Sequence, residues 1–533
     1  MGVFENCGIM LDMSRDGVMK VSALKDYISV LAKLGMTTFY IYLEDTYELP
    51  EYPMFGYMRG RYTADELKEI DAFCIQKGMK LVPCIQTLGH MMQYLRYPQT
   101  DAVRDTEDIL LCDADETYEL IESMIKTMRE CISGDKLHVG MDESMALGTG
   151  KYFTLHGYQE KSEIFKKHLQ RVCDIAHKYN FTPMIWDDVA RDFIRLDNTV
   201  DLKDALPDVE LVPWSYGCVD SEKIRKIIES NRVFNRPVTF AAGAWTWGSP
   251  LPCYNFAKAT VVSNASAVAD SNLESLMYTV WGDDACQTNA WFAMPQILML
   301  SEYNRRGIGA TDEELIKLSN DLDLLDFSVA DIAAKFSQPK GVDTTVGKRL
   351  IWGDLFFNSG RVFDKDYSEI LKKAAEDMKP FVERNDRWKE YYKYIELCLK
   401  VASEKAYIVT NLYDAYKSNN RNFLKNLCDE KFDNLIRIFL ELEKCHRDIW
   451  LETYKPQGYQ KVEGRYGSQI MRLEYAKDRI KDYLEGKIEA LDEFNETPVP
   501  TENENNMVFS KDGEVYIDYE KWMCCRHLID VSV

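Results

Sequence analysis

Eight short apolar runs recur through the first 280 residues: Ile9–Leu11, Thr38–Leu43, Lys80–Ile85, Leu137–Gly140, Pro183–Ile185, Glu210–Val212, Val238–Ala241 and Leu276–Val280. They are near-continuous rather than alternating, the pattern of parallel strands buried on both faces. The stretches between them follow helical spacing. Leu24, Tyr27, Ile28, Leu31 and Leu34 repeat at three and four residues, with Gly35 where a C-terminal cap would stand. Thr63 and Glu66 form a capping-box pattern ahead of Leu67, Ile70, Phe73 and Cys74, and Gly78 follows. Eight strand–helix units in this length predict a (β/α)8 TIM barrel over residues 1–310. A doubly wound open sheet is the alternative arrangement of the same units.

Beyond residue 310 the strand signal stops. Helical patterns over Ser368–Lys417, Arg421–Trp450 and Ser468–Phe494 predict a mostly α-helical second domain, residues 311–533. A Pro- and Asn-rich linker, Pro498–Asn506, leads there to a short β-like tail, Val515–Tyr519. Two domains suit a chain of 533 residues, more than one core usually organises. Many Tyr and Leu on the long helices are compatible with a homodimer, and the Gly- and aromatic-rich stretch Tyr454–Tyr466 is a candidate to reach an active site.

A formal net charge of −22 repels phosphate backbones and anionic headgroups, so neither a nucleic-acid nor a membrane partner is expected, and a neutral substrate fits better. Met1–Arg15 shows no basic segment followed by a long apolar one, and no later run is apolar enough to span a bilayer. The 14 cysteines are scattered, apart from Cys524–Cys525, with no CxxC and no Cys/His cluster. That argues against zinc and against a disulfide framework. A cytoplasmic protein with reduced thiols and no metal or other cofactor is expected.

In a barrel of this kind the loops after the strands build the site. Strand 2 ends in Glu44–Asp45, strand 4 in Asp142–Glu143, and strand 5 runs into Trp186–Asp187–Asp188. Strand 6 runs into Trp214, strand 7 is followed by Trp245 and Trp247, and strand 8 runs into Trp281–Gly282–Asp283–Asp284. Alone, a tryptophan near a strand end is usually core and a surface acid usually solvated. Together at one rim, carboxylates accept hydrogen bonds from sugar hydroxyls while indoles stack on pyranose faces. A carbohydrate site is expected.

The pair Asp142–Glu143 is the sharpest feature. Neighbours at the end of an extended strand point in different directions. One carboxylate can face a glycosidic oxygen and the other a substituent on the sugar's C2. That division suits a 2-acetamido sugar, whose own carbonyl can attack C1 to form an oxazolinium ion, the substrate-assisted exception to the two-carboxylate scheme. Glu143 would be the acid and then the base, and Asp142 would hold the acetamido N–H. A neighbouring carboxylate and a partly dry site should raise the Glu143 pKa.

The run Leu137-His-Val-Gly-Met-Asp-Glu143 resembles the His-x-Gly-x-Asp-Glu signature of glycoside hydrolase family 20, the β-N-acetylhexosaminidases. Gly8-Ile-Met-Leu-Asp-Met-Ser-Arg15 is similar to that family's first strand. Tyr42-Leu-Glu-Asp45 and Gln86-Thr-Leu-Gly-His90 resemble its second and third strand ends, especially in the hexosaminidase D-like branch. The resemblance spans about residues 6–305 and implies exo-acting release of terminal β-linked GlcNAc or GalNAc from glycans or glycoconjugates, with retention, by the substrate-assisted route. It implies Asp142 and Glu143 as the catalytic pair. His90 and Glu44 would support the glutamate, Asp45 being the second choice, and His138 is either a further support or a buried structural residue. Trp186, Trp214 and Trp281 would wall the pocket, and Asp283, or Asp284 in its place, would bind outer hydroxyls. Tyr216 or Tyr254 would donate to the acetamido carbonyl.

Two departures stand out. Cys7 stands where many members carry an arginine for the sugar's 3- and 4-hydroxyls, so Arg15, Arg59 or Arg61 would substitute. The α/β domain that often precedes the barrel is also not expected, because the first strand begins near Met1. Two other functions fit the same residues: a catalytically idle barrel that binds amino sugars, and a transglycosylase with the same intermediate.

Overall fold

The computed structural model describes residues 2–194, 202–339, 346–356 and 363–495. Eight parallel strands form the barrel: β1 Asn6–Asp12, β2 Thr38–Tyr42, β3 Lys80–Cys84, β4 Lys136–His138, β5 Thr182–Trp186, β6 Glu210–Val212, β7 Phe240–Gly243 and β8 Ser275–Val280. Their order is β6-β5-β4-β3-β2-β1-β8-β7. Parallel bridges Leu211–Val238 and Trp214–Ala241 join β6 to β7, so the sheet closes on itself and is not an open doubly wound one.

Side-chain parity separates lumen from outer face. Met10, Tyr40, Tyr42, Val82, Cys84, Met184, Trp186, Val212, Ala241 and Met277 form a cluster of their own inside the barrel. Their strand neighbours, such as Ile9, Phe39, Ile41, Leu81, Ile185 and Leu276, join the surrounding helices in the main core. Both faces of most strands are therefore apolar, which is why the runs read as continuous. The helix Ala64–Gln76 begins with the expected capping box, both reciprocal bonds of Thr63 and Glu66 being present. Gly35 and Gly78 follow their helices with φ of 76° and 73°.

The boundaries differ from expectation where backbone chemistry intervenes. β4 stops at His138 because Gly140 and Met141 turn left-handed, each with φ 74°. The stretch expected as one helix from Ser368 is divided into Tyr367–Asp377, Lys379–Val382 and Lys389–Lys417, with Pro380 at the break. Phe432–Thr453 follows a wide turn at Leu427–Lys431, and Tyr459–Leu484 begins nine residues before the expected Ser468. The linker Pro498–Asn506 and the tail Val515–Tyr519 lie outside the described residues. No helix among the described residues is long and apolar enough to cross a membrane.

Candidate active site

Backbone strain marks one end of the barrel. Among the described residues, 16 non-glycine positions have positive φ. Eight of them are Asn or Asp, for which the left-handed region costs little. At the C-terminal ends of the strands the residues are costlier: Glu44 after β2, His90 after β3, Met141 and Glu143 after β4, Trp245 after β7, and Ala285 and Cys286 after β8. Such strain costs on the order of 1–3 kcal/mol per residue and persists only where surroundings impose it, which is typical of functional sites.

The Asp142–Glu143 pair sits in this turn rather than on an extended strand end, so the turn divides the two side chains. The Asp142 side chain is 12% exposed and that of Glu143 62%. Gln86 fixes the inner acid. Its amide donates to Asp142 Oδ1 at 2.7 Å and to the Tyr42 hydroxyl at 2.8 Å, while its oxygen accepts from Met141 N at 3.1 Å. Any Cβ on Gly140 would overlap the Gln86 side chain, which explains the glycine of the motif. Asp188 holds the other residue: its Oδ2 accepts the Glu143 N–H at 2.8 Å.

His90 Nε2 lies 3.1 Å from Asp142 Oδ2 and 3.6 Å from Glu143 Oε2. Burial would lower the His90 pKa, but the charge and hydrogen bond of Asp142 outweigh it and raise the imidazole to about 10. Asp142 responds in kind. Burial would raise it, yet His90 and then Gln86 bring it down to about 2. The result is a buried imidazolium–carboxylate pair whose cation also faces Glu143. Asp188 is pushed the other way, to about 7, by burial and then by the Asp142 charge.

The opposite wall is built by the loops after β1 and β8. Arg15 Nη1 pairs with Glu44 at 2.7 Å and Asp12 at 3.8 Å, and Nε lies 3.7 Å from Asp283. Its guanidinium lies 5.4 Å from both the Tyr42 and the Trp281 ring centres. Burial raises Glu44 against the pull of Arg15 and His90. Trp281 packs edge-on to Tyr42 at 4.7 Å and near Trp186 at 5.9 Å. Trp214 stacks on Tyr216 at 5.1 Å, and Trp245 on Trp247 at 4.8 Å. Tyr216 meets the edge of Trp247 at 5.3 Å. Trp245 Nε1 donates to the Tyr216 carbonyl at 2.7 Å.

Several candidates lie elsewhere. Tyr254 belongs to the main core, and its hydroxyl donates to the Phe292 carbonyl at 3.0 Å. Asp284 turns away from Arg15 to Lys348, at 3.2 Å. Asp45 pairs with Arg59 at 3.2 Å, both side chains buried. Arg61 donates to the carbonyls of Pro53 and Phe55. Cys7 is buried in β1. Of the three arginines, Arg15 alone reaches the acids of the mouth. His138 is buried against Trp186 at 4.5 Å and accepts from Gly140 N at 3.1 Å. Burial lowers its pKa to about 3, so it is a neutral brace for the turn. Gln86, in the stretch that resembles the family's third strand end, and Asp188, among the acids after strand 5, had no role assigned from sequence; each lies two residues past its strand, β3 and β5. Among the described residues no three His, Cys, Asp or Glu side chains group as metal ligands.

Residues 4–206 match the glycosyl hydrolase family 20 catalytic domain, and residues 323–512 the Glycoside Hydrolase 20C C-terminal domain. The chain is 27% identical over 207 residues to Hexosaminidase D of Bos taurus, covering 37% of this chain and 59% of that protein. It is 29% identical over 184 residues to Hexosaminidase D of Homo sapiens, covering 32% and 37%. The chain thus spans less than two thirds of the length of either relative. Among solved structures, a family 20 exo-β-N-acetylglucosaminidase from Vibrio harveyi, in complex with N-acetylglucosamine, superposes with a TM-score of 0.46 at 17% identity, covering 62% of this chain and 59% of that one. A β-N-acetylhexosaminidase from Bacteroides fragilis gives 0.46 at 17%, covering 60% and 70%.

Proposed function

The chain belongs to glycoside hydrolase family 20, and from that premise we propose that it is an exo-acting β-N-acetylhexosaminidase. Its substrates are terminal, non-reducing β-linked GlcNAc or GalNAc on glycans or glycoconjugates. The observation that carries the reading is the division of labour within Asp142–Glu143. Asp142 is held as an anion by His90 and Gln86, in place to accept a hydrogen bond from an acetamido N–H. Glu143 projects outward, free to reach a leaving oxygen.

In the first step the acetamido oxygen attacks C1, the C1–O bond to the aglycone breaks, and the Glu143 proton passes to the departing oxygen. Asp142 stabilises the positive charge that develops on the ring nitrogen. In the second step Glu143, now a carboxylate, takes a proton from water as its oxygen attacks C1 on the face the aglycone left; the bond from C1 to the acetamido oxygen breaks and the acetamido group is restored. Two inversions give net retention. Trp186, Trp214, Trp281 and Trp245–Trp247 would wall the sugar and exclude water. Tyr216 stands among them and is the tyrosine assigned to the acetamido carbonyl. Arg15 and Asp283 would take the outer hydroxyls, in place of an arginine at Cys7. A cytoplasmic location fits the same reading, because the described cysteines are buried thiols.

Chromophore release from p-nitrophenyl β-N-acetylglucosaminide, its GalNAc analogue and the plain glucoside tests the reading. Turnover of the two acetamido sugars, lost in Glu143→Gln, is expected. Binding of amino sugars without turnover would instead establish the idle barrel, and sugar-transfer products in place of hydrolysis would establish the transglycosylase.

A further inference from the structure

We infer that the helical C-terminal region is part of the sugar-recognition machinery, with Arg465 and Lys348 acting as positioning residues for the loop that carries Asp283. The inference rests on the reading of Arg15 and Asp283 as hydroxyl contacts. Three consecutive residues after Asp283 are left-handed: Asp284, Ala285 and Cys286, with φ of 64°, 65° and 52°. Ala285 has no polar side chain, and the Cys286 thiol makes a long contact, 4.0 Å, to the Thr288 carbonyl, so the surroundings must impose the conformation.

Those surroundings come from the helical region. Arg465, buried, donates to the Asp284 carbonyl at 2.7 Å, and Lys348 pairs with the Asp284 carboxylate at 3.2 Å. Trp352 Nε1 donates to Gln287 Oε1 at 2.8 Å. Behind them the buried Lys405 donates at 2.7 Å to Gln469, whose amide donates to the Trp352 carbonyl at 2.8 Å. The β1 loop that carries Arg15 is gripped by the same region. Lys461 pairs with Asp16 at 2.7 Å, and Lys455 N donates to the Val18 carbonyl at 2.8 Å. Gly458, with φ 95°, passes so close to the Asp16 carbonyl that a Cβ would overlap it. Arg15 and Asp283 therefore face each other because one partner outside the barrel fixes both loops.

The test compares Arg465→Met, Lys348→Met and their double variant with Arg479→Met in the full-length chain. Arg479 pairs with Glu493 at 2.8 Å, far along the same helix from Arg465, and serves as a stability control. The double variant should raise KM for p-nitrophenyl β-N-acetylglucosaminide about tenfold, change kcat less than about twofold, and raise the calorimetric Kd of free N-acetylglucosamine by a similar factor. That factor corresponds to about 1.4 kcal/mol. Arg465→Lys should recover most of it. Hydrogen exchange of residues 282–290 should quicken, and that of residues 136–143 should not. Arg479→Met should lower Tm without moving KM. Unchanged exchange at 282–290, or faster exchange with KM and Kd unchanged, would overturn the inference. A wild type that binds N-acetylglucosamine but turns nothing over would refute the hydrolase reading alone, and exchange and Kd would still decide this one.

Discussion

The two walls of the barrel mouth are held in different ways. The wall after β3, β4 and β5 is fixed by the barrel's own residues: Gln86 on Asp142, Asp188 on the Glu143 N–H, and His138 on the Gly140 turn. All lie within about one hundred residues of one another in the chain. The wall after β8 and β1 is fixed from outside, by Lys348, Lys461 and Arg465. The inner wall carries the acids assigned to bond cleavage, and the outer wall carries Arg15 and Asp283, assigned to recognition. On the proposed assignment, chemistry is anchored in the barrel's own loops, while recognition depends on contacts from the helical C-terminal region.

Substitutions can break or sharpen that contrast. The largest effect should come from Glu143→Gln, which removes the transferable proton and should lower kcat about a thousandfold, within the usual range for a general acid–base group. Tm should hardly change, since the side chain is 62% exposed. Asp142→Asn should lower kcat about a hundredfold, with a smaller change in KM, because it removes the charge that stabilises the developing cation. A rise in KM with kcat intact would break the division of roles. On the outer wall, Asp283→Ala should do the reverse, raising KM about tenfold for loss of a single hydroxyl contact.

A smaller effect sharpens the inner wall. Asp188, raised to about 7, binds a proton in the folded state across a range where the unfolded carboxyl has lost it. Its contribution to stability is therefore present at acid pH and lost as pH rises from about 4 to 7. Asp188→Asn keeps an oxygen for the Glu143 N–H but cannot titrate. The difference in Tm between wild type and variant should shrink as pH falls from 7 to 4, leaving kcat within a few-fold. A pH-independent difference would contradict the assignment. The smallest effect should be that of Tyr254→Phe. It removes a core hydrogen bond worth about 1 kcal/mol in Tm terms and should leave KM unchanged. A raised KM would return Tyr254 to the site.

The inner wall was legible in the sequence because its determinants are local. The barrel strands reveal themselves as doubly buried apolar runs, and Asp142–Glu143 lies in a six-residue motif at the end of one. What could not be read there is conformation. The pair was expected on a pleated strand end, yet Gly140 and Met141 turn the chain before it. Gln86 and Asp188 have residue types too common to single out, and only their hydrogen bonds reveal what they hold. The outer wall was less legible still. Asp284 and Asp283 read alike in sequence, yet Lys348 and Arg465, from positions well beyond the barrel, hold the carboxylate and the carbonyl of the first, while the second faces Arg15. Tyr254 shows the converse: a tyrosine at the right place in the chain whose hydroxyl is occupied by Phe292.

The central claim is that the substrate's acetamido oxygen, positioned by Asp142, is the nucleophile. Its most direct test is kcat/KM for p-nitrophenyl glucosaminides bearing N-acetyl, N-fluoroacetyl, N-difluoroacetyl and N-trifluoroacetyl groups. Each fluorine withdraws electron density from the attacking oxygen while leaving the glycosidic bond and leaving group unchanged. If that oxygen attacks C1, kcat/KM falls steeply with each fluorine added. A flat series, with the plain glucoside turned over as fast as the N-acetyl sugar, would mean that the nucleophile comes from the protein or from water.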